Sequence, residues 1–516
     1  MNIRKFAVSA MAFLLAAMTL ASCSSGAGSS TDTTAAPTGG NAVTTAADTE
    51  PAGPTLDKWG REIISDDLPA DLNFGSKEVK ILAREDTKFR WQLDFYAPEI
   101  TGEMVKDAVY ERNARIEERL GVKFVITEGP GSYTNFSQYA DMITKAYQSG
   151  SHDYDMVGTY SLYGAQYATQ GYFYNINDLG KYINLDKVWW NQNFKDELTV
   201  DNKLYFVVGD VNLTALSRML TLFYNKEEVE KRLPNVDLYA TVNDGKWTLD
   251  YMTELLADSY ADLNGDTAKN DGDFFGLVTT KPSEAFDSFA ASTHFQMIVR
   301  DNEGNFVLNA DTESLVNRID KIAKLYYSDE NAVMFDTIDN SLNRFANGQA
   351  LFTLYTLDKA GEDILRNMTQ SYGVLPLPKY DEAQDMYRTI PQDAFNLISI
   401  MGDTEDPDMI AAVLELMCAE SYKEVVPLYY EEALKYKYMP DEDSGKMIDY
   451  LRDGLTFDFA TINTLSLQSA GHFVRSTLND HGIDAASRVS SSMAMRQKIF
   501  KKALEQFVAK YEAIGQ

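Results

Sequence analysis

The densest run of chemistry-bearing residues in this chain is Asp262, Asn264, Asp266, Ala268, Asn270 and Asp273, set within twelve positions. This follows the donor spacing of a calcium loop: side-chain oxygens from Asp262, Asn264, Asp266, Asn270 (through water) and Asp273, with the Ala268 carbonyl among them. Calcium takes six to eight hard oxygens, which is the reason such a loop must be dense in Asp and Asn. Thr267 stands where the sharp turn wants glycine, and Asp273 is shorter than the bidentate glutamate that usually closes the shell. A turn rich in Asn, Asp and Gly that holds no ion therefore stays open beside a structural calcium site, and no other cofactor is required. Catalysis finds little support. The four histidines (His152, His294, His472 and His481) form no His-Glu-x-x-His zinc motif, and neither a Gly-x-Ser-x-Gly elbow nor a P-loop is present. A glycosidase-like carboxylate pair hidden among the 77 acidic residues is the form an enzyme would take; the expectation is a protein that is not an enzyme.

A second chemical signal lies near the start, in Leu20-Ala21-Ser22-Cys23. Arg4 and Lys5 precede an apolar stretch over residues 6–20, the basic-then-hydrophobic order of a secretory signal. At about 15 residues it is short for a membrane span of ~20. Leucine three positions before cysteine resembles a bacterial lipobox, which implies removal of residues 1–22 and lipidation of Cys23. Acyl chains contribute ~0.8 kcal/mol per buried methylene, enough in combination for stable anchoring. Residues 23–56 then read as a lipidated cysteine followed by a flexible Ser/Thr/Gly/Ala linker, without an aromatic residue from 24 to 54. Such composition cannot bury the apolar surface that ordering demands, and its root-mean-square reach is ~30 Å. The expected location is the outer, extracellular face of the cytoplasmic membrane.

The remainder, residues 57–516, is folded material: the chain as a whole is 45% hydrophobic, 12% aromatic and 24% charged. Its length exceeds what one core usually supports. The net charge of −30, which becomes −32 once Arg4 and Lys5 are removed, makes nucleic acid a poor partner. Cys418 is the sole cysteine besides Cys23, so no disulfide is expected, and its apolar surroundings read as a buried structural thiol.

Elements that could position a site come from periodicity. Residues 79–83, 122–127 and 154–157 read as strands, and helical spacing runs through Val105, Ala108, Val109, Ile116 and Leu120, with Gly121 as its stop. Tyr139, Met142, Ile143 and Ala146 mark another helix; Thr248 is a candidate N-cap; residues 350–355 form a strand and 493–511 a closing helix. Alternation of strand and helix predicts an α/β fold with a mainly parallel sheet, whose ligands bind beyond the strands' C-terminal ends. Residues 84–91 and 159–163 are then site loops. They offer Arg84, Asp86 and Trp91 from the first, and Tyr160 and Tyr163 from the second; Tyr355 follows another strand. Trp189-Trp190 reads equally well as an anchor for a helix.

Six short stretches, in order, carry a resemblance: Asp153-Tyr154-Asp155-Met156-Val157, Lys203-Leu204-Tyr205-Phe206-Val207, Phe223-Tyr224-Asn225-Lys226-Glu227, Trp247-Thr248, Phe345-Ala346-Asn347-Gly348-Gln349-Ala350 and Tyr372-Gly373-Val374-Leu375-Pro376-Leu377-Pro378. Behind a lipobox, they are similar to the extracellular solute-binding lipoproteins of bacterial ABC importers, the group of maltodextrin-binding protein. The resemblance implies a two-lobed periplasmic-binding-protein-like α/β fold with discontinuous lobes joined by hinge strands. Lobe 1 would cover about 76–212 and 393–440, and lobe 2 about 218–387 and 441–516. It further implies a monomer that captures a sugar or oligosaccharide between the lobes and passes it to ABC permease subunits. On this reading Asp210, Asn212, Gln392 and Asp393 lie beside the hinge crossings and join the loop residues around the solute. A peptide or other solute in the same fold, a surface carbohydrate-processing enzyme, and an adhesion or sensor protein are the alternatives.

Overall fold

The computed structural model describes residues 55–85, 90–270, 272–280, 282–328, 332–438 and 441–514. The expected signal peptide, Cys23, most of the linker and Asp86 lie outside the described residues. Eleven strands are described: β1 (Lys77–Arg84), β2 (Val122–Gly129), β3 (Met156–Tyr160), β4 (Leu220–Asn225), β5 (Phe275–Thr280), β6 (Ile298–Arg300), β7 (Phe306–Leu308), β8 (Ala332–Phe335), β9 (Ala350–Thr356), β10 (Tyr372–Leu375) and β11 (Asn396–Ile400).

The first lobe holds a four-stranded sheet in the order β11-β3-β1-β2. β1 runs parallel to β2 along its whole length, from Lys77 opposite Val122 to Arg84 opposite Gly129, and parallel to β3 at Ile81–Met156. Parallel neighbours need a crossover, and helix Met104–Leu120 supplies the one between β1 and β2. It buries Val105, Ala108, Val109, Ile116 and Leu120 and ends where Gly121 takes φ 58°, a left-handed backbone that glycine adopts without strain. Helix Phe136–Ser149 connects β2 to β3. β11 departs from the parallel pattern: it returns from the second lobe and pairs antiparallel with β3, Asn396 opposite Tyr160.

The second lobe holds a five-stranded sheet, β10-β4-β9-β5-β8, parallel at β9-β5-β8 and antiparallel at β10-β4-β9. The passage that leads into β4 and the one that leads to β11 run side by side. Met219 bridges Pro391 antiparallel, Leu220 N–H donates to Ile390 O (3.0 Å), and Gln392 N–H donates to Arg218 O (2.9 Å).

Helix Pro407–Glu420 is buried almost all round, and Cys418 in it is fully buried. Its Glu415 accepts both indole N–H groups of Trp189 (3.1 Å) and Trp190 (2.9 Å), so the tryptophan pair anchors this helix. The final helix, Ala485–Ala513, is ~43 Å long at 1.5 Å per residue. Phe500 packs edge-on to Phe473, while at the far end Tyr511 packs on Tyr205 and Lys203 Nζ donates to the carbonyls of Tyr511, Glu512 and Ile514. No helix among the described residues is long and apolar enough to cross a membrane.

Candidate functional site

At the C-terminal ends of β1 and β3 a small apolar cluster stands apart from the main core. Trp91, Tyr160 and Ala394 form it, with Leu162 and Tyr163 packed against it. Arg84, the last residue of β1, is fully buried in its midst, with its guanidinium 3.7 Å from the Trp91 ring centre and 4.6 Å from that of Tyr160. Nε donates to Gly131 O (2.7 Å) and Nη1 to Ala394 O (2.7 Å), while Nη2 has no hydrogen-bond partner among the described residues. Burial pulls this guanidinium down to about 9, still protonated at neutral pH. Gly131 is what lets Arg84 lie there, because a Cβ at that position would stand 2.4 Å from Arg84 Cγ.

The crossing strands add polar groups to this face. Tyr160 Oη donates to Asp393 (3.1 Å), as does Gln392 Nε2 (3.2 Å). Gln392 also accepts from Arg218 Nη2 (2.6 Å) and donates to Glu284 (3.4 Å), so it reaches into the second lobe. Glu284 sits at the start of helix Pro282–Ser292, directly after β5, and burial raises its pKa. Next along that helix, Asp287 accepts from Arg475 Nε (3.1 Å), and burial raises it too. His472, pushed down to about 4 by burial, is neutral at pH 7. Asp458 is raised by burial to about 6; one of its oxygens accepts from Thr461 N–H (2.8 Å) and the other, buried, has no partner among the described residues. Between the two faces lies a hollow of about 40 Å³ lined by Leu162, Glu284, Asp393, Phe395, Asp458 and His472. It has room for ~2–3 waters. Beyond Arg218 a second hollow of about 360 Å³ meets Leu93, Glu103, Thr214, Asp358 and Glu362. Aromatic faces, carboxylates and an unspent guanidinium N–H together suit a molecule with apolar ring faces and a rim of hydroxyls.

Of the residues singled out from sequence, the structure brings Arg84, Trp91, Tyr160, Tyr163, Gln392 and Asp393 to one face. Tyr355 is buried in the second lobe, where the Arg218 charge acts on its phenol, and Arg218 in turn donates to Gln392. Asn212 is fully buried and spent on backbone: it accepts from Gly209 N–H (3.0 Å) and donates to Asn396 O (2.8 Å). Asp210 lines a separate hollow with Trp59 and Trp190. Sequence reading missed Tyr133 and Phe136. Phe136 stacks on Tyr163 at 3.5 Å and 4°, and Tyr133, 63% exposed, lies 6.4 Å away. Both follow β2, so the strand-end rule applied to that strand would have found them. Glu284 follows β5 by the same rule. Asp458, His472 and Arg475 carry no local signal, since tertiary packing alone delivers them.

The 262–273 loop lies elsewhere, between helix Leu249–Leu256 and β5. Its oxygens accept from its own donors. Asp262 takes the N–H groups of Gly265 (2.6 Å) and Thr267 (2.9 Å), and Asp266 takes that of Ala268 (2.8 Å) and Asn270 Nδ2 (2.6 Å). Asn264 Nδ2 donates to Asn270 Oδ1 (3.0 Å), and Asp273 accepts from Tyr260 Oη (2.9 Å) and Asn270 N–H (2.8 Å). The Asn270 hydrogen bond comes first among the causes that hold the Asp273 carboxyl below the usual range. Among the described residues no group of three or more His, Cys, Asp or Glu side chains is placed to hold a metal.

No protein-family profile and no curated relative matches the chain. Solved structures do. The galacto-N-biose/lacto-N-biose I-binding protein of an ABC transporter from Bifidobacterium longum, in complex with lacto-N-biose, is similar at TM-score 0.52 and 12% identity over 85% of this chain and 98% of that one. A cyclo/maltodextrin-binding protein complexed with maltotetraose gives 0.51 and 12% over 86% and 99%. An ABC substrate-binding protein from Listeria monocytogenes, in complex with cycloalternan, gives 0.50 and 13% over 85% and 99%. The chain has the two-lobed α/β fold of these ABC-transporter sugar-binding proteins.

Proposed function

We propose that this chain is an extracellular solute-binding lipoprotein that captures a sugar or oligosaccharide between its lobes and delivers it to an ABC importer. The observation that carries the reading is the placement of Arg84, Trp91, Tyr160 and Tyr163 at the strand ends, beside Asp393 on the paired crossings. Stacking a sugar ring there removes apolar area from water at ~25 cal/mol per Å², and Asp393 accepts from its hydroxyls. Trp91 and Tyr160 are only 2% and 6% exposed and face Arg84, so solute enters when the lobes part at the Met219–Pro391 pair. Hinge closure then marks the loaded form for a permease. Nothing in this cycle consumes the solute, so binding without turnover is part of the reading.

A thermal-shift screen of mono- and oligosaccharides, amino acids and peptides tests it, because a ligand stabilises by RT ln(1 + [L]/Kd). A rise in Tm with one or more saccharides is expected; a rise with peptides alone would reassign the solute. Lipid anchoring rests on Leu20-Ala21-Ser22-Cys23. Cys23→Ala should release the protein from membranes or leave its precursor uncut, and an unmodified Cys23 thiol in membrane-extracted mature protein would remove the anchor.

A further inference from the structure

The hollow that holds Asp210 is distinct from the inter-lobe face. It measures about 600 Å³, and none of its lining residues lines the cavity at Asp393. That is the size of small-molecule sites, ~300–1,000 Å³. Its walls come from the N-terminal turn with Trp59, the loop with Trp190, and the segment Leu428–Tyr438, whose π-helical winding is a form often found at functional sites.

Three polar groups in it are unspent. Tyr430 is 1% exposed, and among the described residues its buried hydroxyl has no hydrogen-bond partner; the buried Trp59 indole N–H has none among them either. The Asp210 carboxylate accepts no hydrogen bond from any described residue, although its own N–H donates to Trp189 O (2.8 Å). The aromatic neighbours, by contrast, have already used their polar atoms: Trp190 Nε1 donates to Glu415 (2.9 Å) and Tyr422 Oη to Glu62 O (3.3 Å). What they present to the hollow is ring surface.

Charge narrows the ligand. The cations are held in pairs: Arg61 Nη2 by Asp57 (2.9 Å), Lys435 by Asp449 (2.7 Å), and Arg452 by Asp453 (3.5 Å). Burial pushes Asp210 up to about 7, while Arg61 and Arg452 pull the other way. An ammonium ligand would face those two guanidiniums, and a carboxylate ligand would face Asp210. Neutral hydroxyls meet neither penalty, and they match an acceptor, a phenol and an N–H donor.

We propose that this hollow is a second solute site, taking a neutral polyhydroxylated molecule of mono- or disaccharide size, with Asp210, Tyr430 and Trp59 hydrogen-bonding its hydroxyls.

The test titrates the full chain by calorimetry with D-glucose, maltose and myo-inositol, and with D-glucosamine and D-glucuronate as charged counterparts. Binding of at least one neutral probe is expected, weakened roughly five- to hundredfold in Asp210→Asn and in Tyr430→Phe. The same event should survive in Tyr163→Ala and Asp393→Ala, which separates it from the inter-lobe reading. Should Asp210→Asn or Tyr430→Phe disturb folding, Trp59→Phe, at a part-exposed position, must still weaken it. No binding of any neutral probe, a preference for either charged one, or sensitivity to the inter-lobe substitutions alone would overturn the proposal.

Discussion

An alanine at position 131 would set its Cβ 2.4 Å from Arg84 Cγ and force that side chain off its seat between Trp91 and Tyr160. Gly131→Ala should therefore cost ~1–3 kcal/mol, the usual cost of overpacking, and lower Tm; an unchanged Tm would show that Arg84 shifts freely. The residues around Arg84 were legible because strand ends can be read from sequence, and a parallel sheet binds at those ends. Asp210 and Asn212 were placed with them from their distance to a crossing, but a two-residue difference in a tight turn sends one side chain into a separate hollow and the other into backbone hydrogen bonds. The calcium reading of the 262–273 loop is a proposal with a competitor in the loop's own hydrogen bonds. If calcium binds, it raises the Tm of metal-free protein and Asp266→Ala abolishes the rise. Equal melting curves with calcium and chelator would leave the loop closed on its own donors.

Among the elements, those with a clean apolar period emerged from sequence with small boundary shifts: the helix stopping at Gly121, β1, β2 and β9. Thr248 accepts from Tyr251 N–H (3.2 Å) and caps the helix that follows it. The antiparallel seat of β11 beside β3 was not legible, since nothing local in residues 396–400 records a partner far back in the chain. Nor was the reach of the last helix, whose end is tied to Lys203. Charge-assisted hydrogen bonds contribute ~1.5–3 kcal/mol each, although Lys203 is only half-buried and solvent screens part of that. Lys203→Met should lower Tm and, in hydrogen exchange, selectively deprotect the final turn. Protection unchanged there would mean that Tyr511 packing on Tyr205 holds the helix end without help from Lys203.

For the molecule as a whole, burial has raised several carboxyls: Asp94 and Asp458 to about 6, and Asp210, Glu197 and Glu415 to about 7. A carboxyl raised on folding binds its proton more tightly in the native state, so its stabilisation is full below its unfolded pKa and is lost as pH climbs through the folded one. His294 and His472, lowered by burial to about 4, act oppositely and lose stability as pH falls below 6.5. These raised carboxyls, with Glu284 and Asp287 acting in the same direction, outweigh the two lowered histidines between pH 7.5 and 5.5, and protonation also relieves a net charge of −30. Tm should be higher at pH 5.5 than at pH 7.5, measured by calorimetry; the reverse order would show that the histidines dominate. The central claim is that solute is held between the lobes at the face built by Tyr163 and Asp393. Isothermal titration with the saccharide that screening identifies tests it most directly, in the unmodified chain and in Tyr163→Ala and Asp393→Ala. Loss of a buried hydrogen-bond partner predicts a drop in affinity of roughly five- to hundredfold for Asp393→Ala, and loss of the Tyr163 ring face predicts weaker binding as well. Unchanged affinity in both variants, with the fold intact, would contradict the account.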